Sequence, residues 1–415
     1  MERIIFHIDV NNAYLSWEAL YRIEELGETL DLRTIPSAIG GDKASRHGII
    51  LAKSMPARAY GVKTAETLGD ARKKCPELHI VPPRMNIYRE YSRKLIALLH
   101  EFSPVIEQYS IDEAFADMTG TALVRQSTPV EAANTLRQTI CDTLGFTVNI
   151  GVSSNKLLAK MASDFEKPDR VHSLFPDEIQ RKMWPLPVGE LFFVGRATQN
   201  KLYNLGICTI GERASFDREI IRAHLGKHGA LIHDYANGID HSPVSAEPAD
   251  SKGYGNSITL PHDVTDSAEA KRHLLSLCES VGRRLRADRV MAGVVAVSIK
   301  DSEFARGSHQ CTLASPTNVT GELYDHACRL FEEYWDGSPI RLIGVSTAKI
   351  TKEALRQLNL FDQDKYLRQS KLETAIDGLR KKFGDNAVMR ASFLPSSREE
   401  AALEDSSGKD SPEEE

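Results

Sequence analysis

Asp112 and Glu113 stand side by side in Tyr109-Ser110-Ile111-Asp112-Glu113-Ala114-Phe115, two acids in an otherwise apolar, strand-like run. Successive side chains of a strand point to opposite faces, so Ile111, Glu113 and Phe115 share one face and Ser110 and Asp112 the other. Adjacent carboxylates converge only at a bend or a strand end. Held together they repel and shift each other's protonation, unless a divalent cation or a cationic ligand neutralises them. Two readings stand on this stretch alone: a metal-binding pair, or a tight turn with solvated acids, since Asp-Glu is common in turns. Asp9 closes the short apolar run Ile4 to Val10 and is a third acid placed where a buried strand emerges. Lys156 and Lys160 lie four residues apart in a helix opened by Ser153-Ser154-Asn155. Backbone N–H groups at a helix start together with two ammonium groups can cradle a phosphate, the alternative being a solvated lysine face.

These residues are remote in sequence, and the elements around them must bring them together. After the Ile4–Val10 strand, Asn11 or Asn12 can cap a helix whose apolar stripe is Tyr14, Leu15, Trp17, Leu20 and Tyr21. Residues 36–41 and 48–52 read as short strands around a Gly-Gly-Asp turn, and 64–74 as a small helix ending before Pro76. Residues 85–102 carry helical periodicity, the acidic pair lies in a strand pair, 130–144 is helical and 146–152 alternates like a strand. Setting the insert aside, the order is β-α-β-β-α-β, the split pattern of a ferredoxin-like sheet backed by helices. Such a sheet sets Asp9 beside Asp112 and Glu113, and the three acids then form a cation site that no single stretch would support.

Residues 185–237 read as a compact helical segment in which Val194-Gly195-Arg196 links apolar helices, and 240–252 as a linker. From Gly253 to Ile350 a second β-α-β-β-α-β order follows. Arg283, Arg284, Arg286 and Arg289 end one of its helices, either as a phosphate-tracking patch or as favourable charges at a helix C-terminus. Beyond it, Gln357-Leu358-Asn359-Leu360-Phe361 sets three large apolar residues in a polar tail, either docking into a partner or packing back on its own domain. A helix is expected over 366–383.

With 415 residues the chain exceeds one ordinary core. No apolar stretch approaches the roughly 20 residues of a membrane span, and Met1-Glu2-Arg3-Ile4 lacks a signal-peptide pattern, so a cytoplasmic protein is expected. Six scattered cysteines without a CxxC pair argue against a disulfide framework and a structural zinc, and buried thiols are expected. The net charge of −6 lies wholly in residues 398–415, where eight acids face Arg398 and Lys409. The body is formally neutral, so a case for nucleic acid must come from motifs rather than from overall charge.

Four motifs supply that case. His7-Ile8-Asp9-Val10-Asn11-Asn12-Ala13-Tyr14, Ala57-Arg58 with Tyr60-Gly61-Val62, the Tyr109–Phe115 run, and Asn149-Ile150-Gly151-Val152-Ser153 through Asn155-Lys156 to Ala159-Lys160 occur in this order. In type, order and spacing the chain resembles the Y-family, or translesion, DNA polymerases of the DNA polymerase IV type over about residues 1–361. The resemblance implies an α+β right-hand polymerase: a ferredoxin-like palm (1–36 and 78–165), small fingers (37–77), a helical thumb (166–238), a linker (239–251) and a βαββαβ little finger (252–350). A tail (351–395) and a disordered acidic end (396–415) complete it. The resemblance implies two Mg2+ ions held by Asp9, Asp112, Glu113 and the Val10 carbonyl, one lowering the pKa of a primer 3′-hydroxyl and one neutralising the triphosphate, about 4 Å apart. It implies that Val10, Asn11, Asn12, Ala13, Tyr14, Arg58 and Lys160 bind the incoming nucleotide, with Tyr14 as the steric gate against a 2′-hydroxyl. Gln357, Leu358, Leu360 and Phe361 are similar to the peptide that binds the bacterial sliding clamp. Primer–template DNA and dNTPs are then the substrates, low fidelity without proofreading follows, no membrane is involved, and a monomer is expected.

Three positions depart from the family pattern. Met55 stands where a triphosphate-binding tyrosine is usual, Asn11 where a second acid often follows the first, and Phe193 where a glycine lets backbone approach phosphate. They keep open an alternative, a non-catalytic clamp- and DNA-bound accessory protein. Another two-metal enzyme on the same palm, such as a nucleotide cyclase, is disfavoured by the thumb and little-finger segments.

Overall fold

The computed structural model describes residues 3–41, 48–247, 250–352 and 363–393. They divide into two units, one up to residue 247 and one from residue 250, of mixed helix and sheet in an α+β arrangement. The peptide 357–361 and the acidic end from 396 lie outside the described residues.

The first unit is built on β1 (Ile5–Val10). Its next strands, β2 (Ser37–Gly40), β3 (Ile50–Lys53) and β4 (His79–Val81), form a separate small sheet in the order β3-β2-β4. Two short helices complete that insert. Met55–Ala59 is capped by Ser54 Oγ, which accepts from Ala57 N, and Leu68–Lys74 is capped by Thr67 Oγ1, which accepts from Asp70 N.

The chain then returns as β5 (Ile106–Gln108), β6 (Glu113–Asp117), β7 (Val148–Ser153) and β8 (Val171–Ser173). With β1 they make one sheet in the order β5-β6-β1-β7-β8, antiparallel except for the β7–β8 pair. This is the ferredoxin-like order with one added edge strand, and it puts β1 in the centre. Strand alternation then sorts the residues. Phe6, Ile8 and Val10, with Ala114, Ala116, Val148, Ile150 and Val152, face a core shared with Trp17, Leu20, Tyr88, Leu95, Leu136 and Ile140. Those residues belong to helices Ala13–Glu24, Met85–Phe102 and Pro129–Leu144, the last opened by a capping box between Thr128 and Glu131.

Helix Lys156–Ser163 covers the opposite sheet face. Its outer side, Leu157, Leu158, Met161 and Ala162, enters the core of a helical segment made of Ile179–Lys182, Arg196–Asn204, Ile210–Ser215 and Arg218–Ala236. The last of these bends at Gly226, whose φ of 64° only glycine adopts freely.

The second unit holds β9 (Gly255–Val264), β10 (Met291–Asp301), β11 (Arg306–Thr317) and β12 (Ile340–Thr351), in the order β11-β10-β12-β9. The chain order repeats that of the first unit, but here the first strand is at the sheet edge rather than in the centre. Helices Ser267–Ala287 and Thr320–Tyr334 cover one face, and a further helix, Gln363–Phe383, packs beyond them.

Two expectations change. Asn12 occupies the N-cap of helix Ala13–Glu24 at a left-handed φ of 48°, and its side chain makes no capping bond. Of the cysteines only Cys75 and Cys278 are buried, Cys208 is exposed and the other three are half-buried; all six are free thiols. Arg283, Arg284 and Arg286 at the end of helix Ser267–Ala287 are engaged within their own unit, while Arg289 just beyond it is exposed. Arg286 donates to Glu373 and Asp377 at 2.6 Å each, Arg283 pairs with Asp385, and Arg284 lies over the Tyr254 ring and donates to the Gly255 carbonyl.

Candidate active site

Asp9 and Glu113 are direct cross-strand partners in the β1–β6 ladder, with Asn149 of β7 on the other side of Asp9. Both acids therefore project from the sheet face that helix Lys156–Ser163 covers. Asp112 precedes β6 in a bend over Ser110–Asp112, so the adjacent acids do meet at a strand end. Ser110 clasps that bend: its Oγ accepts from Asp112 N at 3.2 Å and Glu113 N at 3.0 Å, and donates to Asp112 Oδ1 at 2.6 Å. Asp112 O accepts from Val10 N at 3.0 Å, which ties the bend to the end of β1. The turn and the acid cluster are one and the same structure.

Lysines balance the acids. Lys160, buried, reaches Glu113 Oε1 at 2.9 Å and Asp9 Oδ2 at 3.4 Å. Lys167 donates to Asp9 Oδ2 at 2.9 Å and Asp164 Oδ1 at 2.8 Å. Burial pushes the Asp9 carboxyl up to about 6 against the pull of Lys167 and Lys160. Burial would raise Glu113 too, but His7 and Lys160 outweigh it and hold that carboxyl well below the usual range. His7 itself is fully buried, which pushes it down to about 4 and keeps it neutral; its Nδ1 hydrogen-bonds Ser163 Oγ at 2.8 Å while Nε2 stands 3.7 Å from Glu113.

Three carboxylates (Asp9, Glu113, Asp164) thus share two ammonium groups, with Asp112 beside them in the Ser110 bend. Among the described residues no three acids or imidazoles are gathered as a ready-made metal cage. The ammonium groups of Lys160 and Lys167 sit on the carboxylates a metal would use, and they mark the place as one that holds positive charge. Hard carboxylate oxygens beside a strand-end carbonyl suit Mg2+ by donor type, so the residues present fit such an ion once the lysines give way.

Asn11 serves the site indirectly. Its Nδ2 donates to Asn149 Oδ1 at 3.1 Å and its Oδ1 accepts from Asp169 N at 2.9 Å, which anchors the loop carrying Lys167. Nothing in the sequence singles out Lys167; a lysine before a proline carries no signal until the loop is placed. Asn149 opens one of the sequence motifs, but its bonds through the side-chain amide to Ser163 O and Glu166 O are set only by the fold.

Tyr14, in the first turn of helix Ala13–Glu24 after Ala13, stacks on Tyr88 at 5.1 Å and 15°. Burial and the Asp112 charge hold its hydroxyl above the usual value, so the ring edge lies near the acids. Arg58 and Met55 are both exposed on the insert, and Arg58 makes no ion pair with described residues. Beside it, burial and the Arg58 charge lower Lys53 against a weaker upward pull from Glu66.

Lys156 does not join Lys160. It pairs with Glu107 at 2.7 Å, over the Phe115 ring, and the amides at its helix start are taken by Asn155 and Asp240. The phosphate cradle read from sequence is therefore not formed there.

Three family models match the chain: the impB/mucB/samB family over residues 8–164, its C-terminal domain over 251–360, and the IMS family HHH motif over 176–207. DNA polymerase IV of Clostridium acetobutylicum is 44% identical over 394 residues, 95% of this chain and 99% of that protein. DNA polymerase IV 2 of Bacillus subtilis is 37% identical over 401 residues, 95% of each chain. Among solved structures, a Y-family DNA polymerase chimera superposes with a TM-score of 0.73 at 23% identity, covering 84% of this chain and all of that one. With the site's geometry set beside these matches, the chain belongs to the impB/mucB/samB family, the Y-family polymerases of the DNA polymerase IV type.

Proposed function

We infer that this chain is a template-directed, error-prone DNA polymerase of translesion synthesis, extending a primer 3′-hydroxyl with dNTPs by metal-assisted phosphoryl transfer, without proofreading. The observation that carries it is the cross-strand pair Asp9–Glu113 beside Asp112, with Lys160 across the pair. Two Mg2+ ions held by Asp9, Asp112, Glu113 and the Val10 carbonyl would activate the 3′-hydroxyl and neutralise the triphosphate and its leaving pyrophosphate. The protein's own part is positioning and charge. Lys160 swings from the acids to the triphosphate as positive charge enters, Lys167 yields Asp9, and Arg58 with Lys53 meets the outer phosphates from the insert, where Met55 supplies no hydroxyl. Tyr14, backed by Tyr88, excludes a 2′-hydroxyl.

The domain boundaries are proposed as palm 1–36 and 78–165, fingers 37–77, thumb 166–238 and little finger 252–350. A small fingers insert encloses a nascent pair loosely, which suits damaged templates. The protein works as a monomer in the cytoplasm, and residues 357–361 bind a sliding clamp; no helix among the described residues is long and apolar enough to cross a membrane. Relatives named DNA polymerase IV lend no support to a non-catalytic accessory protein.

The test is primer extension with Mg2+ and four dNTPs. The wild-type chain adds nucleotides and Asp112→Ala does not; equal extension by the variant would remove the catalytic assignment. Deleting residues 357–361 weakens clamp binding and leaves distributive extension intact.

A further inference from the structure

Phe193 occupies a position built for glycine. Leu191 to Val194 is a tight turn closed by Val194 N donating to Leu191 O at 2.9 Å, and Phe193 is its third residue at a φ of 71°. That left-handed conformation is strained for any residue with a β-carbon. The ring does not repair the strain by burial, because it is 51% exposed. His228 Nε2 lies 3.1 Å from the Phe193 carbonyl and fixes the turn from the neighbouring helix.

The exposed ring, which also meets Tyr235 at 6.0 Å, is the outermost rung of an aromatic ladder. Phe193 meets Phe192 edge-on at 4.6 Å, Phe192 meets Tyr109 at 6.3 Å, Tyr109 meets Phe115 at 5.6 Å, and Phe115 meets His7 at 4.6 Å. Tyr109 is itself exposed and lies one residue before Ser110, which clasps Asp112 and Glu113. The outer strip, exposed Phe193, half-buried Phe192 and exposed Tyr109, thus ends beside the Ser110 clasp of the acids, with Phe115 and His7 buried beneath it. Arg196, three residues after Phe193, and Lys227, next to His228, are exposed and without ion pairs among the described residues, and no side chain caps the helix that begins at Arg196.

We propose that Phe193 is a DNA-contact residue whose ring lies against the apolar sugar edge of the primer–template duplex just behind the primer 3′ end. It replaces by a sugar contact the backbone-to-phosphate approach that a glycine would allow, while Arg196 and Lys227 meet the flanking phosphates. A duplex offers C–H surface between its phosphates, and the end of the strip beside the clasp of the acids sets which part of the duplex it meets. The inference rests on the polymerase reading and adds to it a specific grip on the product strand.

The experiment measures binding of a fluorescent primer–template by anisotropy, without nucleotide or Mg2+, over a range of salt for wild type, Phe193→Gly, Phe193→Ala and Phe193→Trp. Removing the ring weakens affinity roughly five- to tenfold, in the range of single aromatic contacts to nucleic acid. The slope of log Kd against log salt stays unchanged, because no phosphate contact is lost, and Phe193→Trp retains affinity. Phe193→Gly relieves the turn and melts at or above the wild-type temperature, so its loss of affinity is not a loss of fold. Wild-type affinity in Phe193→Gly and Phe193→Ala, tighter binding by Phe193→Gly, or a shallower salt slope overturns the proposal. Extension by the wild type against the Asp112→Ala control separates that result from a failure of the polymerase reading.

Discussion

The Lys160 ammonium stands 2.9 Å from Glu113 Oε1 because Gly151 lets helix Lys156–Ser163 lie directly on β7. A β-carbon at Gly151 would fall 1.9 Å from the Ala159 carbonyl oxygen and 2.5 Å from Ser163 N, both backbone atoms that cannot step aside alone. Gly151→Ala therefore lifts the helix and withdraws Lys160 from the acids. Overpacking of this kind costs about 1–3 kcal/mol, and a misplacement of about an ångström lowers kcat/KM by roughly a hundredfold. Thermal unfolding and single-nucleotide incorporation read the two effects separately.

Lys160 and Lys167 hold the carboxylates of Asp9 and Glu113, and under the proposed two-ion reading they would compete with metal for them. Lys160→Met leaves those acids short of positive charge, so the variant depends on Mg2+ for stability more than wild type does. Thermal scans with and without millimolar Mg2+ should show a larger rise in Tm for the variant. Its kcat falls about a hundredfold or more with the loss of a preorganised cation. Lys167→Met shows the same direction with a smaller loss. An identical Mg2+ response in all three proteins would remove the competition.

Tyr14 is held from behind. Its ring stacks on Tyr88, whose hydroxyl donates to buried Glu18 Oε2 at 2.9 Å, and Arg22 Nε holds Glu18 Oε1 at 2.8 Å. Tyr14→Ala raises ribonucleotide incorporation by roughly 10- to 100-fold, the range for one steric element in a pocket. Glu18→Ala removes the acceptor behind Tyr88, leaves Arg22 paired with Glu28 alone and relaxes sugar discrimination less than Tyr14→Ala. Paired rNTP and dNTP insertion kinetics decide the order.

In the second unit Arg286 joins three elements: it donates to Glu373 and Asp377 of helix Gln363–Phe383 and, at 2.8 Å, to the Asn318 carbonyl. Glu373 also accepts from Thr320 N at 2.9 Å. Arg286→Ala breaks this buried cluster at about 3–5 kcal/mol and frees the helix, seen as faster proteolysis within residues 363–383. DNA affinity and its salt slope stay at wild-type values, as they would not for a phosphate contact.

How far the site could be read in advance depended on how local each signal is. Asp112 and Glu113 advertise themselves because adjacency is a property of the chain, and Asp9 because a strand ends there. Their meeting is permitted by the β-α-β-β-α-β order, which hydrophobic periodicity reveals, and needs in addition that the first strand pair with the third. The acidic end and the helices likewise follow from composition and spacing.

Register, packing depth and partner choice belong to the folded chain. The same element order produces a central first strand in one unit and an edge strand in the other, since alternation of side chains does not say which neighbour a strand takes. Lys156 and Lys160 share a sequence spacing but not a partner, because one faces Glu107 and the other the acids. Lys167 reaches Asp9 across 158 residues of sequence through a loop that Asn11 anchors, a long-range geometry without a local signature. The amino-acid sequence by itself determined the chemistry available, acids for cations and lysines to balance them. Tertiary structure decided which lysine meets which acid, because only the sheet register and the glycine-permitted helix contact bring those atoms within reach.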